Sequence, residues 1–208
     1  MKTILCYGDS NTWGYIPGTG ERYGHDIRWP GILARELGPG YRIIEEALNG
    51  RTTVWDDPIM PGRNGAAYLA PCLDSHRPLD QIILFLGLND LKRRFSAPAQ
   101  DIAKGVGLLL GIIARSGAGV QGKCPPTLVV SPPHLGKLTA YAESFEDAVE
   151  RSKRIACWLE PIVREAGCEF LNIAEHAAVS DDDGLHFDKE AHAAIGIAVA
   201  ERIRRIQG

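Results

Sequence analysis

Residues 2–7, 41–47, 81–86, 127–130 and 169–172 read as strands, each built round an apolar stretch. The clearest is apolar without interruption from Ile82 to Leu86, the pattern of a strand buried on both faces of a parallel sheet. Between these runs, apolar positions recur at helical intervals over 30–37, 66–76, 97–116, 145–166 and 190–206. Pro30 opens the first of these helices and Gly38 ends it. Ser96 stands where a cap for 97–116 is expected, with Gly117 as its stop. Pro161 predicts a kink or a split within 145–166. Segments 13–28 and 52–65 have no period and are rich in Gly and Pro, and loops of that length are commonly functional.

Strands alternating with helices predict an α/β three-layer sandwich, with a five-stranded parallel sheet covered on both faces. The favoured strand order, numbered along the chain, is 2-1-3-4-5, flavodoxin-like, with right-handed crossovers. No internal repeat, low-complexity run or linker interrupts the pattern, so residues 1–208 are read as a single domain. In such a sheet every strand-to-helix loop emerges at one edge, where ligands bind.

The composition changes this picture little. Hydrophobic residues make up 45% and charged residues 24% of 208, which is ordinary for a soluble domain. A net charge of -3 lacks the basic excess of a nucleic-acid binder. No apolar run reaches the length of a membrane span, and the first is too short for a signal segment. The five cysteines form no C-x-x-C pair, so neither a disulfide framework nor a zinc site is suggested. A reducing, cytoplasmic setting is the default expectation.

The chemistry begins where the first strand stops, at Gly8-Asp9-Ser10. A serine at the carboxyl edge of a sheet is either a helix cap or a nucleophile, and only its company decides. It belongs to neither a phosphate loop nor a G-x-S-x-G elbow. Asp183-Gly184-Leu185-His186 could supply the base and its orienting carboxylate from one loop. Asp181 and Asp182 precede that pair, and a run of acids is usually a solvated loop, so the x-x spacing is what favours Asp183. The order 2-1-3 sets Gly50 and Asn89 on either side of Ser10. The backbone N–H groups of Ser10 and Gly50 and the Asn89 amide would then meet the oxyanion of an attacked ester.

Gly8-Asp9-Ser10, Gly50, Gly87-x-Asn89-Asp90 and Asp183-x-x-His186, in this order, resemble the four blocks of the SGNH (GDSL-type) hydrolase superfamily. The blocks span nearly the whole chain. Asp9-Ser10-Asn11-Thr12-Trp13-Gly14 and Asn49-Gly50-Arg51-Thr52 are similar to the bacterial arylesterase/acyltransferase branch. The resemblance implies an SGNH hydrolase fold, a Ser10-His186-Asp183 triad, and an oxyanion hole of Ser10, Gly50 and Asn89. It also implies hydrolysis of short-chain aryl, alkyl or sugar acetate esters, with acyl transfer to alcohols or peroxide. No metal or other cofactor is implied, and oligomers are. Asn11 departs from the Leu that many members carry.

Several residues have a second reading. Trp13 and Trp55 could line the acyl pocket, or equally serve core or interface packing. Asp9 and Asp90 are read as structural, fixing turns and loops. His25, His76, His134, His176 and His192 are treated as ordinary polar residues. The many apolar groups of 13–28 and 52–65 predict a homo-oligomer, because loops so long are not expected to fold wholly onto one small core. The expected partner is a small-molecule ester, with no nucleic acid and no membrane. The competing reading is a catalytically inactive SGNH-fold module binding an acylated sugar or a nucleotide, although a pure binder has no need of a triad.

Overall fold

The computed structural model describes residues 1–207. Five strands, β1 (Lys2–Gly8), β2 (Tyr41–Ala47), β3 (Gln81–Phe85), β4 (Thr127–Val130) and β5 (Glu169–Leu171), form one sheet in the order β2-β1-β3-β4-β5. Every pairing is parallel. The helices are α1 (Ser10–Trp13), α2 (Trp29–Leu37), α3 (Gly65–His76), α4 (Ala99–Arg115), α5 (Ala148–Glu165) and α6 (Lys189–Gln207). The strand order is the one that the alternation of patterns predicts.

Side chains of a strand alternate between faces, and the two cores divide accordingly. Leu5, Tyr7, Ile82, Leu84 and Val129 pack in one core with α3, α4 and α5. Ile4, Cys6, Ile83, Phe85, Leu128 and Val130 pack in the other with α2 and α6. The central strands are therefore apolar on both faces from Ile4 to Tyr7, from Ile82 to Phe85 and from Leu128 to Val130.

Register brings the site together. Gly8 pairs with Ala47 on one side and with Phe85 on the other, so β1, β2 and β3 end level. Gly8 is required there by space, since a Cβ would lie 2.6 Å from the Thr12 Cβ. The chain can thus turn straight from strand into α1.

Three local expectations are corrected. Ser96 does not cap α4: it is left-handed (φ 48), and the helix starts at Ala99, behind Pro98. A proline disfavours helical backbone in the residue before it, so Ala97 cannot lead into the helix. Pro161 neither splits nor ends α5, whose flanking Leu159 and Val163 are both fully buried. Core packing on that face outweighs the one hydrogen bond a proline removes. The same helix begins at Ala148 rather than Phe145, because Asp147 is left-handed at φ 60.

The two long loops also fold back more than expected. Trp13, Tyr15, Ile16, Tyr23, Trp55 and Met60 are half-buried, while Ile59 is 72% exposed. Among the described residues no helix is long and apolar enough to cross a membrane.

Candidate active site

Ser10 is the first residue of α1 and is capped rather than capping. Asp9 Oδ1 accepts the Asn11 N–H at 3.0 Å, and Gly14 closes the short helix in the left-handed region. This holds Ser10 at the sheet edge, only 5% exposed. Its Oγ lies 3.0 Å from His186 Nε2, across 176 residues of sequence.

His186 is held on its other side. Asp183 Oδ2 lies 2.7 Å from His186 Nδ1. Asp183 Oδ1 meanwhile accepts the backbone N–H groups of Leu185 (2.9 Å) and His186 (2.8 Å). Burial raises the Asp183 pKa, but the His186 side-chain and backbone hydrogen bonds outweigh it, so the carboxyl is held below its ordinary value. Asp181 and Asp182 are exposed, so of the three consecutive acids only Asp183 is built into the site.

The remaining blocks converge as their strand positions predict. Gly50, with φ 81, takes the left-handed backbone that glycine adopts without strain. Arg51 fixes that turn by donating to the Gly8 carbonyl at 2.9 Å, with its guanidinium 4.2 Å over the Tyr7 ring. Asp90 ties the loop after β3 to the loop after β2, accepting the Thr53 N–H at 3.1 Å and the Thr53 hydroxyl. Asn89 Nδ2 donates to Asp9 Oδ2 at 3.4 Å, which leaves its second hydrogen for a ligand. Burial pushes Asp9 up to about 7 and Asp90 up to about 6, against the hydrogen bonds each accepts.

Asn11, the departure from Leu, has a structural use. It is buried, and its amide donates to the Leu185 carbonyl and accepts the Phe187 N–H, both at 3.3 Å. The turn that carries Ser10 is thereby pinned to the residues on both sides of His186.

A cavity of about 310 Å³ opens on this constellation, with Ser10, Gly50, Asn89 and His186 in its wall. Trp13 and Trp55 are not brought to it. Trp13 lies under Arg22, whose guanidinium is 4.9 Å from the ring centroid. Trp55 packs against the core that contains α3 and α4. Tyr15 and Tyr141 take the aromatic part instead. The Tyr15 ring stacks on His186 at 4.1 Å, Tyr141 meets it edge-on at 5.7 Å, and their hydroxyls share a hydrogen bond at 2.9 Å. Met60, Lys92, Arg94, Ser144 and Phe145 also line it, with Asn49 and Leu185. The loop after β4, which carries Tyr141 to Phe145, has no motif. Its place as the remaining strand-to-helix loop at the same edge is the signal that could have found it.

One cluster outside the cavity has metal-ligand residue types. Glu46, Cys72 and His76 bring their ligand atoms within 4.8 Å of one another. Two of the three already pair with each other. His76 Nε2 is 2.7 Å from Glu46 Oε1, and burial pushes the Cys72 thiol up to about 12, which keeps it protonated.

The sequence profile of the GDSL-like lipase/acylhydrolase family matches residues 6–194. No curated protein matches the chain. Among solved structures, the native aryl esterase of M. smegmatis is 37% identical with a TM-score of 0.94, covering 99% of both chains. A carbohydrate acetylesterase from Sinorhizobium meliloti is 36% identical with a TM-score of 0.95, covering 99% of this chain and 100% of that one. A lipolytic G-D-S-L family protein from Veillonella parvula shares the fold at 12% identity, with a TM-score of 0.72 over 99% of this chain and 100% of that one.

Proposed function

Because the chain belongs to the GDSL-like lipase/acylhydrolase family, we propose that it is a serine esterase acting on short-chain esters through an acyl-enzyme. One observation carries this reading: the unbroken line from Ser10 Oγ to His186 Nε2 (3.0 Å) and from His186 Nδ1 to Asp183 Oδ2 (2.7 Å). Neutral His186 takes the Ser10 proton as Oγ bonds to the ester carbon. Asp183 holds the proton on Nδ1, so that Nε2 is the free acceptor, and stabilises the imidazolium that forms.

The carbonyl oxygen becomes an anion at that moment, and the donors for it are the Ser10 and Gly50 amides and Asn89 Nδ2. Collapse breaks the bond to the alcohol, which leaves with the proton from His186. Water then enters and bonds to the acyl carbon as His186 takes its proton; the bond to Ser10 Oγ breaks, Oγ takes that proton back from His186, and the acid is freed. An alcohol or a peroxide entering instead accepts the acyl group. The structural neighbours support aryl acetates and sugar acetates as the first substrates to try.

A panel of p-nitrophenyl esters and acetylated sugars, with and without alcohol acceptors, tests the proposal. Turnover lost in Ser10→Ala supports it. Inactivity across the whole panel favours the alternative of a binding module.

We further propose that the chain self-associates beside this site. Ile59, 72% exposed, directly precedes Met60 of the cavity wall, which supports an apolar contact at that rim. Light scattering coupled to gel filtration gives the mass, and a monomer at micromolar concentration would remove the idea.

A further inference from the structure

Two cations share one carboxylate in the cavity wall. The Asp57 side chain is fully buried, that of Lys92 is 8% exposed and that of Arg94 is 28% exposed. Asp57 Oδ1 is already crowded, accepting the N–H groups of Ile59 (2.9 Å) and Met60 (3.1 Å) as well as Arg94 Nη1 (3.0 Å). Lys92 Nζ is 3.7 Å from Asp57 Oδ2, beyond hydrogen-bond reach. No other acceptor reaches this ammonium among the described residues. Burial lowers the Lys92 pKa, and the pull of Asp57 only partly restores it.

A nearly buried ammonium whose one counterion stands beyond hydrogen-bond distance is costly unless something completes its bonding. Arg94 likewise spends one nitrogen on Asp57 and keeps the rest of its fork free. Both side chains line the same cavity as Ser10 and His186. Lys92 Nζ is also 3.6 Å from where a Cβ on Gly50 would stand, which sets it beside the expected oxyanion hole. The wall at His186, by contrast, is aromatic, formed by Tyr15 and Tyr141. The cavity therefore has one apolar side and one cationic side.

We propose that the preferred substrates are esters carrying a second, anionic group of carboxylate type, which Lys92 and Arg94 bind together. This rests on the esterase reading and narrows it. A planar carboxylate can take the Arg94 fork and the Lys92 ammonium at once, and such charge-assisted bonds are the stronger kind. The anion can belong to the acyl part or to the alcohol part, and matched pairs distinguish the two. For the acyl part, monomethyl succinate is compared with its amide, methyl succinamate. For the alcohol part, 4-acetoxybenzoate is compared with 4-acetoxybenzamide.

With hydrolysis followed by pH-stat at low salt, the carboxylate member of one pair should show kcat/KM higher by about tenfold or more. The preference should weaken at about 0.5 M salt without vanishing, since salt screens the part-exposed Arg94 more than the nearly buried Lys92. It should also shrink in Arg94→Gln, a substitution at a part-exposed position, and in Lys92→Met where that variant folds. Calorimetric binding of the same pairs to Ser10→Ala reads the cationic wall without turnover. Neutral esters cleaved as fast as charged ones, with equal binding of both, would overturn the proposal and leave the esterase reading intact. Equal loss on charged and neutral members in Arg94→Gln would also overturn it. No cleavage of any ester would instead strike the esterase reading, and the binding comparison would still decide the anion site.

Discussion

Asp183→Asn isolates the electrostatics of the site from its shape. The two oxygens of Asp183 have different duties. Oδ1 accepts two backbone N–H groups, at 2.9 and 2.8 Å, and Oδ2 faces His186 Nδ1 at 2.7 Å. In the asparagine variant the amide oxygen keeps the two backbone donors, because an NH₂ there would meet them donor to donor. The NH₂ must then face Nδ1, which has to accept. That forces the imidazole proton onto Nε2, the nitrogen that must be free to receive the Ser10 proton. The fold is kept and the tautomer is wrong. The loss expected for such a change is about 10⁴ in kcat, or about 5 kcal/mol of transition-state stabilisation. Steady-state hydrolysis of p-nitrophenyl acetate measures it, with the melting temperature as the control for folding. Asp181→Asn and Asp182→Asn, both at exposed positions, should stay near the wild-type rate. Asp183→Asn at near wild-type activity, or a collapse of activity in Asp182→Asn, would refute the tautomer argument.

Other consequences can be checked alongside. Asn89→Ala should lower kcat by about 10²–10³ with little change in KM, since an oxyanion donor acts mainly in the transition state; a raised KM at constant kcat would make Asn89 a ground-state binding residue. Asn11→Leu leaves the buried Leu185 carbonyl and Phe187 N–H without their partner. It should cost about 1–3 kcal/mol in urea unfolding, and no loss would deny Asn11 its pinning role. Asp9→Asn keeps an acceptor for the Asn11 N–H but removes a buried charge. The folded-state pKa of Asp9 is raised to about 7, so the contribution of this group to stability is fully present below the ordinary carboxyl range and is lost as pH rises through 7. The variant should therefore gain on wild type by up to roughly 4 kcal/mol between pH 4 and pH 8, and parallel pH profiles for the two proteins would contradict this.

The parts of the fold legible in the sequence are those set by periodicity and by rare residues at fixed places. Uninterrupted apolar runs marked β1 and β3 as central strands, and the alternation with helices carried the strand order. Ser10, Gly50, Asn89 and His186 follow strands whose ends are level, so their meeting at one edge was deducible without side-chain detail. What was not legible depends on tertiary contact. Trp13 follows the nucleophile turn directly, yet Arg22 draws it away from the cavity. Tyr141 belongs to a loop without pattern, and only folding shows its hydroxyl meeting Tyr15, 126 residues earlier. The use of Asn11 is not legible from its neighbours, because its partners Leu185 and Phe187 lie far along the chain. Lys92 and Arg94 follow Asn89 in a run of basic residues whose spacing marks no site, and only the fold sets them against the buried Asp57.

The most direct test of the account is active-site labelling of the wild-type protein with a fluorophosphonate, with the adduct located by peptide mass spectrometry. The reagent needs a serine whose proton is taken by a neighbouring base, which is the arrangement Ser10 has with His186 at 3.0 Å. A single adduct on Ser10 is expected, with loss of esterase activity in step with labelling and little labelling in His186→Ala. An adduct on another serine, or full activity in Ser10→Ala, would contradict it.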